Sequence, residues 1–260
     1  MDTGRSTFAG ARLAVGLLTV LPVGNVVTDR RTVRRALLLA PLVGLTIGTV
    51  AWILGGLVRI SGGGSLLAAV VSVATPAVAT RALHLDGLAD LADGLGSGRP
   101  AEEALAVMRR SDTGPFGVVT LLLVLLAQVA AVAQAWEVGL AGPALLIGCV
   151  TGRLALLWSC RAGVSAARPD GLGALVAGAV QTRAAALATA AVCLAAAAWG
   201  ASFGSRCTLA FPLAVLAGVG AAGLLLRRAV GRLGGVTGDV LGALVETATT
   251  AALIALLLAT

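Results

Sequence analysis

The chain has 260 residues, 58% of them apolar and only 12% charged, with a mean hydropathy of +0.99. Soluble domains run at about 45–50% apolar and about 25% charged, so a soluble globular enzyme is excluded, and the long apolar blocks exclude a disordered chain. The 19 basic residues, all of them Arg, against 12 acids give a formal charge of +7. No aromatic-interleaved basic patch or finger spacing accompanies that charge, so it reads as topogenic and no nucleic acid partner is expected. Cys149, Cys160, Cys193 and Cys207 show no C-x-x-C spacing and mostly sit in apolar blocks, which predicts neither disulfides nor zinc.

In chain order, Arg5 and Arg12 precede an apolar stretch at 13–23 that has the outline of a signal peptide but no small-x-small cleavage site. It predicts a retained short helix, interfacial or re-entrant. Seven later blocks approach the roughly 20 residues needed to span a bilayer: 36–58, 65–83, 114–136, 140–159, 184–203, 208–226 and 240–259. The expected fold is therefore all-α, a polytopic membrane helix bundle of about seven transmembrane helices plus the short first one. No internal repeat or soluble domain is evident, so residues 1–260 read as a single membrane-embedded domain.

The loops alternate in Arg content. Arg30, Arg31, Arg34 and Arg35 precede the first span and only Arg59 follows it; Arg81, Arg99, Arg109 and Arg110 come next, then Glu137 alone. Arg161, Arg168 and Arg183 follow, then Arg206, then Arg227, Arg228 and Arg232. The positive-inside rule places the Arg-rich loops in the cytoplasm of a multi-pass plasma or inner membrane protein, with the C-terminus outside. Those loops are also the longer and more polar ones, so chemistry is expected on the cytoplasmic face.

After the second block comes His84-Leu-Asp86-Gly87-Leu-Ala-Asp90-Leu-Ala-Asp93-Gly94. The acids stand at i, i+4 and i+7, on one face of a helix, where like charges repel. With no Lys in the chain and the nearest Arg a turn or more away, a hard divalent cation is the economical neutraliser, and Mg²⁺ held by Asp86, Asp90 and Asp93 together with substrate phosphates fits. A solvated acidic face is the alternative. Gly87 and Gly94 weaken a helix by about 1 kcal/mol each and suit a place where a bulky ligand approaches the backbone. His84, the single histidine, is a candidate base, phosphate ligand or structural group.

Downstream, Arg109 and Arg110 with the Gly114 backbone are candidates for gripping an anionic phosphate where the third span begins, the alternative being a basic flank before a Pro-Gly helix start. Arg153 lies inside the fourth span, about 12 Å of helix from Arg161, where a charge costs roughly 2.5–3.5 kcal/mol on insertion scales. The stretch Gly234-Gly-Val-Thr237-Gly-Asp239 opens the last span, with Glu246 two turns deeper on the same face. Glu246 needs a partner, for which Arg153 or a bound metal are candidates. Asp239 is either a binding residue or an N-cap.

Together, His84-Leu-Asp86-Gly-Leu-Ala-Asp90-x-x-Asp93-Gly94, Met108-Arg109-x-Ser111-x-x-Gly114-x-x-Gly117 and Gly234-Gly-x-Thr237-Gly-Asp239-x-Leu-Gly242-x-x-x-Glu246 resemble the cobalamin synthase family. Thr19-x-Leu21-Pro22, Pro41-Leu-Val-Gly44 and Gly171-Leu-Gly173 fall in the same order, so the resemblance covers nearly the whole chain. Val20 stands where many members have Arg, and Arg110 and Asp112 exchange base and acid relative to the commoner pattern. The resemblance implies a Mg²⁺-dependent membrane transferase that joins adenosylcobinamide-GDP to α-ribazole or its 5′-phosphate and releases GMP in the last steps of cobalamin biosynthesis. It also implies metal binding by Asp86, Asp90 and Asp93, with Asp93 or His84 taking the proton. Arg109, Ser111, Arg153, Asp239 and Glu246 would serve substrate binding. The substrates and the lipid bilayer are the expected partners, and a homo-oligomer is left open. The acid triplet is also similar to that of CDP-alcohol phosphotransferases, the closer alternative; a transporter is the more distant one.

Overall fold

The computed structural model describes residues 3–110 and 112–260. Among them the chain is helical without strands, its extended pairing limited to single bridges at Arg161–Val180 and Ala166–Val236. The first helix, α1 (Thr3–Leu18), has an apolar portion only from Phe8 to Leu18, too short to cross a bilayer. It lies along α2 (Arg30–Ile60), and the Arg12 guanidinium donates to the Val23 carbonyl, folding the connecting segment back over it. Asp29 caps α2 by accepting from the Thr32 N–H at 2.7 Å.

The second expected span is divided. α3 (Ser65–Ala79) has 15 residues, about 22 Å of helix, which falls short of the roughly 30 Å hydrocarbon core. Arg81 and Ala82 then adopt φ of 53° and 56°, and α4 (Leu83–Gly96) leaves at 87° to α3. Two successive side-chain-bearing residues in the left-handed region cost on the order of 1 kcal/mol or more each. The packing of α4 against its neighbours sustains that strain. Among the described residues six helices are individually long and apolar enough to span a membrane, and a seventh crossing exists only as the bent α3–α4 pair.

The chain continues through α5 (Ala101–Val107), α6 (Pro115–Glu137), α7 (Ala141–Ser159), α8 (Gly171–Val176), α9 (Thr182–Gly200), α10 (Ser205–Leu233) and α11 (Gly238–Ala259). Helix α10 runs past the predicted end at 226 and carries Arg227, Arg228 and Arg232 on its final turns. Helix α7 is the innermost, packed by α2, α11 and α10. Its neighbours approach through small residues: Gly48 of α2 lies over the Leu145 carbonyl, Gly152 of α7 over the Val245 carbonyl of α11, and Gly218 of α10 over the Ala248 carbonyl.

The Arg-rich loops gather at one end of the bundle. There Arg168 donates to the Leu105 carbonyl at 2.6 Å and Arg232 to the Arg99 carbonyl at 3.2 Å. The Val236 N–H donates to Ser165 and the Ala167 N–H to Val236. Aromatic residues mark the other end, with Trp52 over Gly142, Trp136 over Gly55, and Trp199, Phe203 and Phe211 in mutual contact.

A Cβ added at Gly44 would overlap the Cys149 carbonyl of α7 and sit 3.1 Å from the Val150 Cα. Gly44→Ala should therefore push α2 from α7 and destabilise by about 1–3 kcal/mol. Gly223→Ala, where a Cβ meets nothing within 4 Å, should be neutral or slightly stabilising. Thermal unfolding of the two variants in detergent measures the difference.

Candidate active site

Helix α4 forms around an apolar back, with Leu88, Ala89 and Leu91 buried, so Asp86, Asp90 and Asp93 run along its other side. What fixes their surroundings is the crossing of α4 with the start of α11. A Cβ on Gly87 would stand 2.8 Å from the Asp239 Cα, and one on Gly242 would stand 3.0 Å from the His84 Cα. The sequence assigned Gly87 and Gly94 to an approaching ligand. In the structure Gly87 makes room for α11, and Gly94 for the Met108 side chain at the end of α5.

The close crossing brings Asp86 and Asp239 into charge range of Asp90, with Arg168 opposing them. Beside this group lies a cleft of about 340 Å³ lined by Arg109, Arg168, Asp170, Thr237 and Asp239. Thr237 caps α11, its hydroxyl accepting from the Val240 N–H at 3.2 Å and donating to Asp239 Oδ2 at 3.1 Å. Burial, and after it the adjacent Arg109, push the Arg168 guanidinium below its usual pKa, while Asp239, Asp170 and Asp90 act the other way. Two guanidinium groups facing carboxylates across one cleft suit a phosphate-bearing ligand.

Asp93 is placed differently from its two companions. It is 8% exposed, and both its carboxylate oxygens accept backbone N–H groups at the start of α6, from Gly114 at 2.7 Å and from Gly117 at 2.9 Å. A Cβ on either glycine would overlap that carboxylate, which accounts for the Gly-x-x-Gly spacing. The Gly114 N–H expected to grip a phosphate is thus taken by Asp93.

Of the other expected site residues, Arg109 lines the cleft and Ser111 lies outside the described residues. His84 does not join the cleft. It is 5% exposed and borders an apolar cavity with Leu37, Leu156 and Leu241. Arg153 is 2% exposed, so it does not snorkel to the membrane surface, and its Nε and Nη2 have no hydrogen-bond partner. Nor does Arg153 pair with Glu246. Glu246 accepts from Gln128 Nε2 at 2.8 Å, and the same nitrogen lies 2.9 Å from the Thr250 hydroxyl; among the described residues the ion pair is Arg99–Glu103. The partner of Glu246 is thus a neutral amide brought to it by α6 rather than a charged group.

Arg168 and Asp170 were missed as cleft residues. Their signal was Arg168-Pro169-Asp170 directly before Gly171-Leu-Gly173, a charged turn leading into a glycine motif. Gly173 packs on the Val236 backbone and thereby seats Arg168 beside Asp239.

Among the described residues no group of three or more His, Cys, Asp or Glu side chains forms a ready metal cage. Asp86, Asp90 and Asp239 nevertheless provide carboxylate oxygens at an Arg-lined cleft. A hard divalent cation held there would draw only part of its oxygen shell from these carboxylates and the rest from phosphate oxygens and water.

The two kinds of aspartate should separate in stability. Asp93→Asn loses a charge-assisted acceptor for two buried N–H groups and should destabilise by about 1–3 kcal/mol. Asp90→Asn relieves repulsion and should leave the unfolding temperature unchanged or raise it. Thermal unfolding of the purified variants without substrate measures both.

The cobalamin-5-phosphate synthase family matches residues 10–257. Relatives named adenosylcobinamide-GDP ribazoletransferase include one from Frankia casuarinae, 45% identical over 94% of this chain and 92% of its own length. Another from Nocardioides sp. is 40% identical over 94% and 96%, and one from Bradyrhizobium diazoefficiens is 36% identical over 95% and 92%. No solved structure matches the chain. A family match that runs through the α4 acids, the Arg109 turn, the 168–173 loop and the start of α11 leaves one conclusion: the chain belongs to the cobalamin-5-phosphate synthase family.

Proposed function

We propose that the chain joins adenosylcobinamide-GDP to α-ribazole or α-ribazole 5′-phosphate and releases GMP. The observation that carries this reading is the cleft in which Arg109 and Arg168 face the carboxylates of Asp170 and Asp239, with Asp86 and Asp90 beside it. The names of the relatives agree with it.

In this reading the two guanidinium groups hold the substrate pyrophosphate and orient its cobinamide-linked phosphorus toward the acceptor. The acceptor hydroxyl oxygen forms the new bond to that phosphorus. The bond to the bridging oxygen breaks, and GMP leaves with the electron pair, its added charge met by Arg109 and Arg168. The hydroxyl proton passes to a carboxylate of the cleft. His84 borders an apolar cavity and both Asp93 oxygens are taken by backbone N–H groups, which favours Asp239, in the cleft wall, or Asp86 or Asp90 beside it for that task. Mg²⁺ held by those carboxylates would supply further neutralisation of charge on the pyrophosphate.

The test is GMP release from adenosylcobinamide-GDP and α-ribazole 5′-phosphate by protein in liposomes, titrated with Mg²⁺. Asp90→Asn and Asp239→Asn should lower turnover by orders of magnitude, and Arg168→Lys, which keeps the charge but loses the planar fork, by at least about tenfold. Wild-type turnover in all three, or turnover of a CDP-alcohol instead, would overturn the assignment.

The Arg distribution supports a cytoplasmic position for the cleft. In a background lacking native Cys, a cysteine at exposed Ser205 should label with an impermeant thiol reagent outside intact cells, and one at exposed Ser165, beside the cleft, should not. The reverse pattern would put the cleft on the other face.

A further inference from the structure

A second cleft, away from the site above, lies between the start of α2 and the start of α9. It has a volume of about 520 Å³ and is lined by Arg30, Arg31, Arg34, Ala162 and the 178–181 backbone. Topology requires only that basic residues flank a span, yet here three Arg share one concavity. Neither helix has an acid in its first turn; the Asp29 cap offsets the α2 end, while the α9 end, without a side-chain cap, adds to the field of the three guanidinium groups. The adjacent acid, Asp29, is committed as the α2 cap, and among the described residues no carboxylate lies within ion-pair distance of these arginines. Arg34 Nε is sealed from solvent without a hydrogen-bond partner.

Between α2, α7 and α9, deeper in the bundle, runs an apolar groove of about 310 Å³ walled by Pro41, Leu42, Leu45, Val192, Ala195 and Trp199. On α2, Arg34, Pro41, Leu42 and Leu45 stand at i, i+7, i+8 and i+11, one stripe of the helix. The cationic cleft and the apolar groove therefore follow one another along the same helix face. From Arg34 to Leu45 is about 16 Å of helix, close to the roughly 15 Å depth of one leaflet. A soluble phosphate would use the cleft and leave the groove without purpose.

We propose that this α2–α9 groove seats an anionic phospholipid, its phosphate on Arg30, Arg31 and Arg34 and an acyl chain along Leu42, Leu45 and Val192. Lys or Arg near an anionic lipid surface contributes about 1 kcal/mol each, enough for three residues to select a headgroup.

The experiment is native mass spectrometry of the full chain in detergent, offered equal phosphatidylglycerol and phosphatidylcholine. Phosphatidylglycerol should be retained at least about tenfold more. The Arg31→Gln/Arg34→Gln variant should abolish the preference, and Ala195→Trp, which fills the groove, should lower retention of both lipids. Equal retention by the wild type, or a preference that survives loss of the arginines, would overturn the proposal. So would displacement of the lipid by inorganic phosphate with no effect of Ala195→Trp, the signature of a simple phosphate site. Should the double variant fail to fold, exposed Arg30→Gln must by itself reduce the preference, and an unchanged ratio refutes the seat.

Discussion

The crossing of α4 and α11 is the constraint on which the site depends. Helices carrying side chains at the contact cannot bring Gly87 and Gly242 as close to the opposing backbones as they are here. The approach gathers Asp86, Asp90 and Asp239 at one mouth, against their mutual repulsion. Exposed like-charge pairs cost a few tenths of a kcal/mol. A buried leucine makes tens of contacts at about 0.1–0.2 kcal/mol each, so Leu88, Leu91, Leu241 and Leu244 behind the acids outweigh that repulsion. The packed apolar backs of two helices thus hold an electrostatically unfavourable arrangement in place.

Much of this was legible in the sequence because membrane helices announce themselves by length, hydropathy and flanking Arg. The helices α6, α7, α9, α10 and α11 follow the apolar blocks, and the Arg-rich loops meet at one end as their alternation implied. The bend after Ala79 was hidden because hydropathy runs on through Leu83 while the break rests on the backbone of Arg81 and Ala82, neither a residue that normally signals a left-handed turn. The overrun of α10 was hidden for the converse reason, since arginines end an apolar block without ending a helix.

Spacing put three aspartates on one face, but spacing says nothing of what each oxygen meets. Asp93 sits on α4 with its companions and yet binds the backbone of α6, a non-local pairing across some twenty residues that only the fold reveals. The same limit separated Glu246 from Arg153 and concealed Arg168, whose neighbours come from α4, the end of α5 and the start of α11. Glycine was the better guide: Gly87, Gly114, Gly117, Gly173 and Gly242 each mark a close approach, although the approaching group is protein backbone or Asp93.

Arg153, enclosed by the bundle with donors left over, bears on how the protein is made. A ribosome delivers α7 before α11 exists, so the segment meets lipid with its guanidinium unshielded, at a cost of some kcal/mol that its own apolar residues must offset. Of the helices packed against α7 only α2 and α6 precede it in the chain; the wall formed by α10 and α11 arrives later. Until then the Arg153 charge lacks the cover that α10 and α11 give it in the finished bundle. Burial of Arg153 therefore waits until α11 (Gly238–Ala259) has packed against α7.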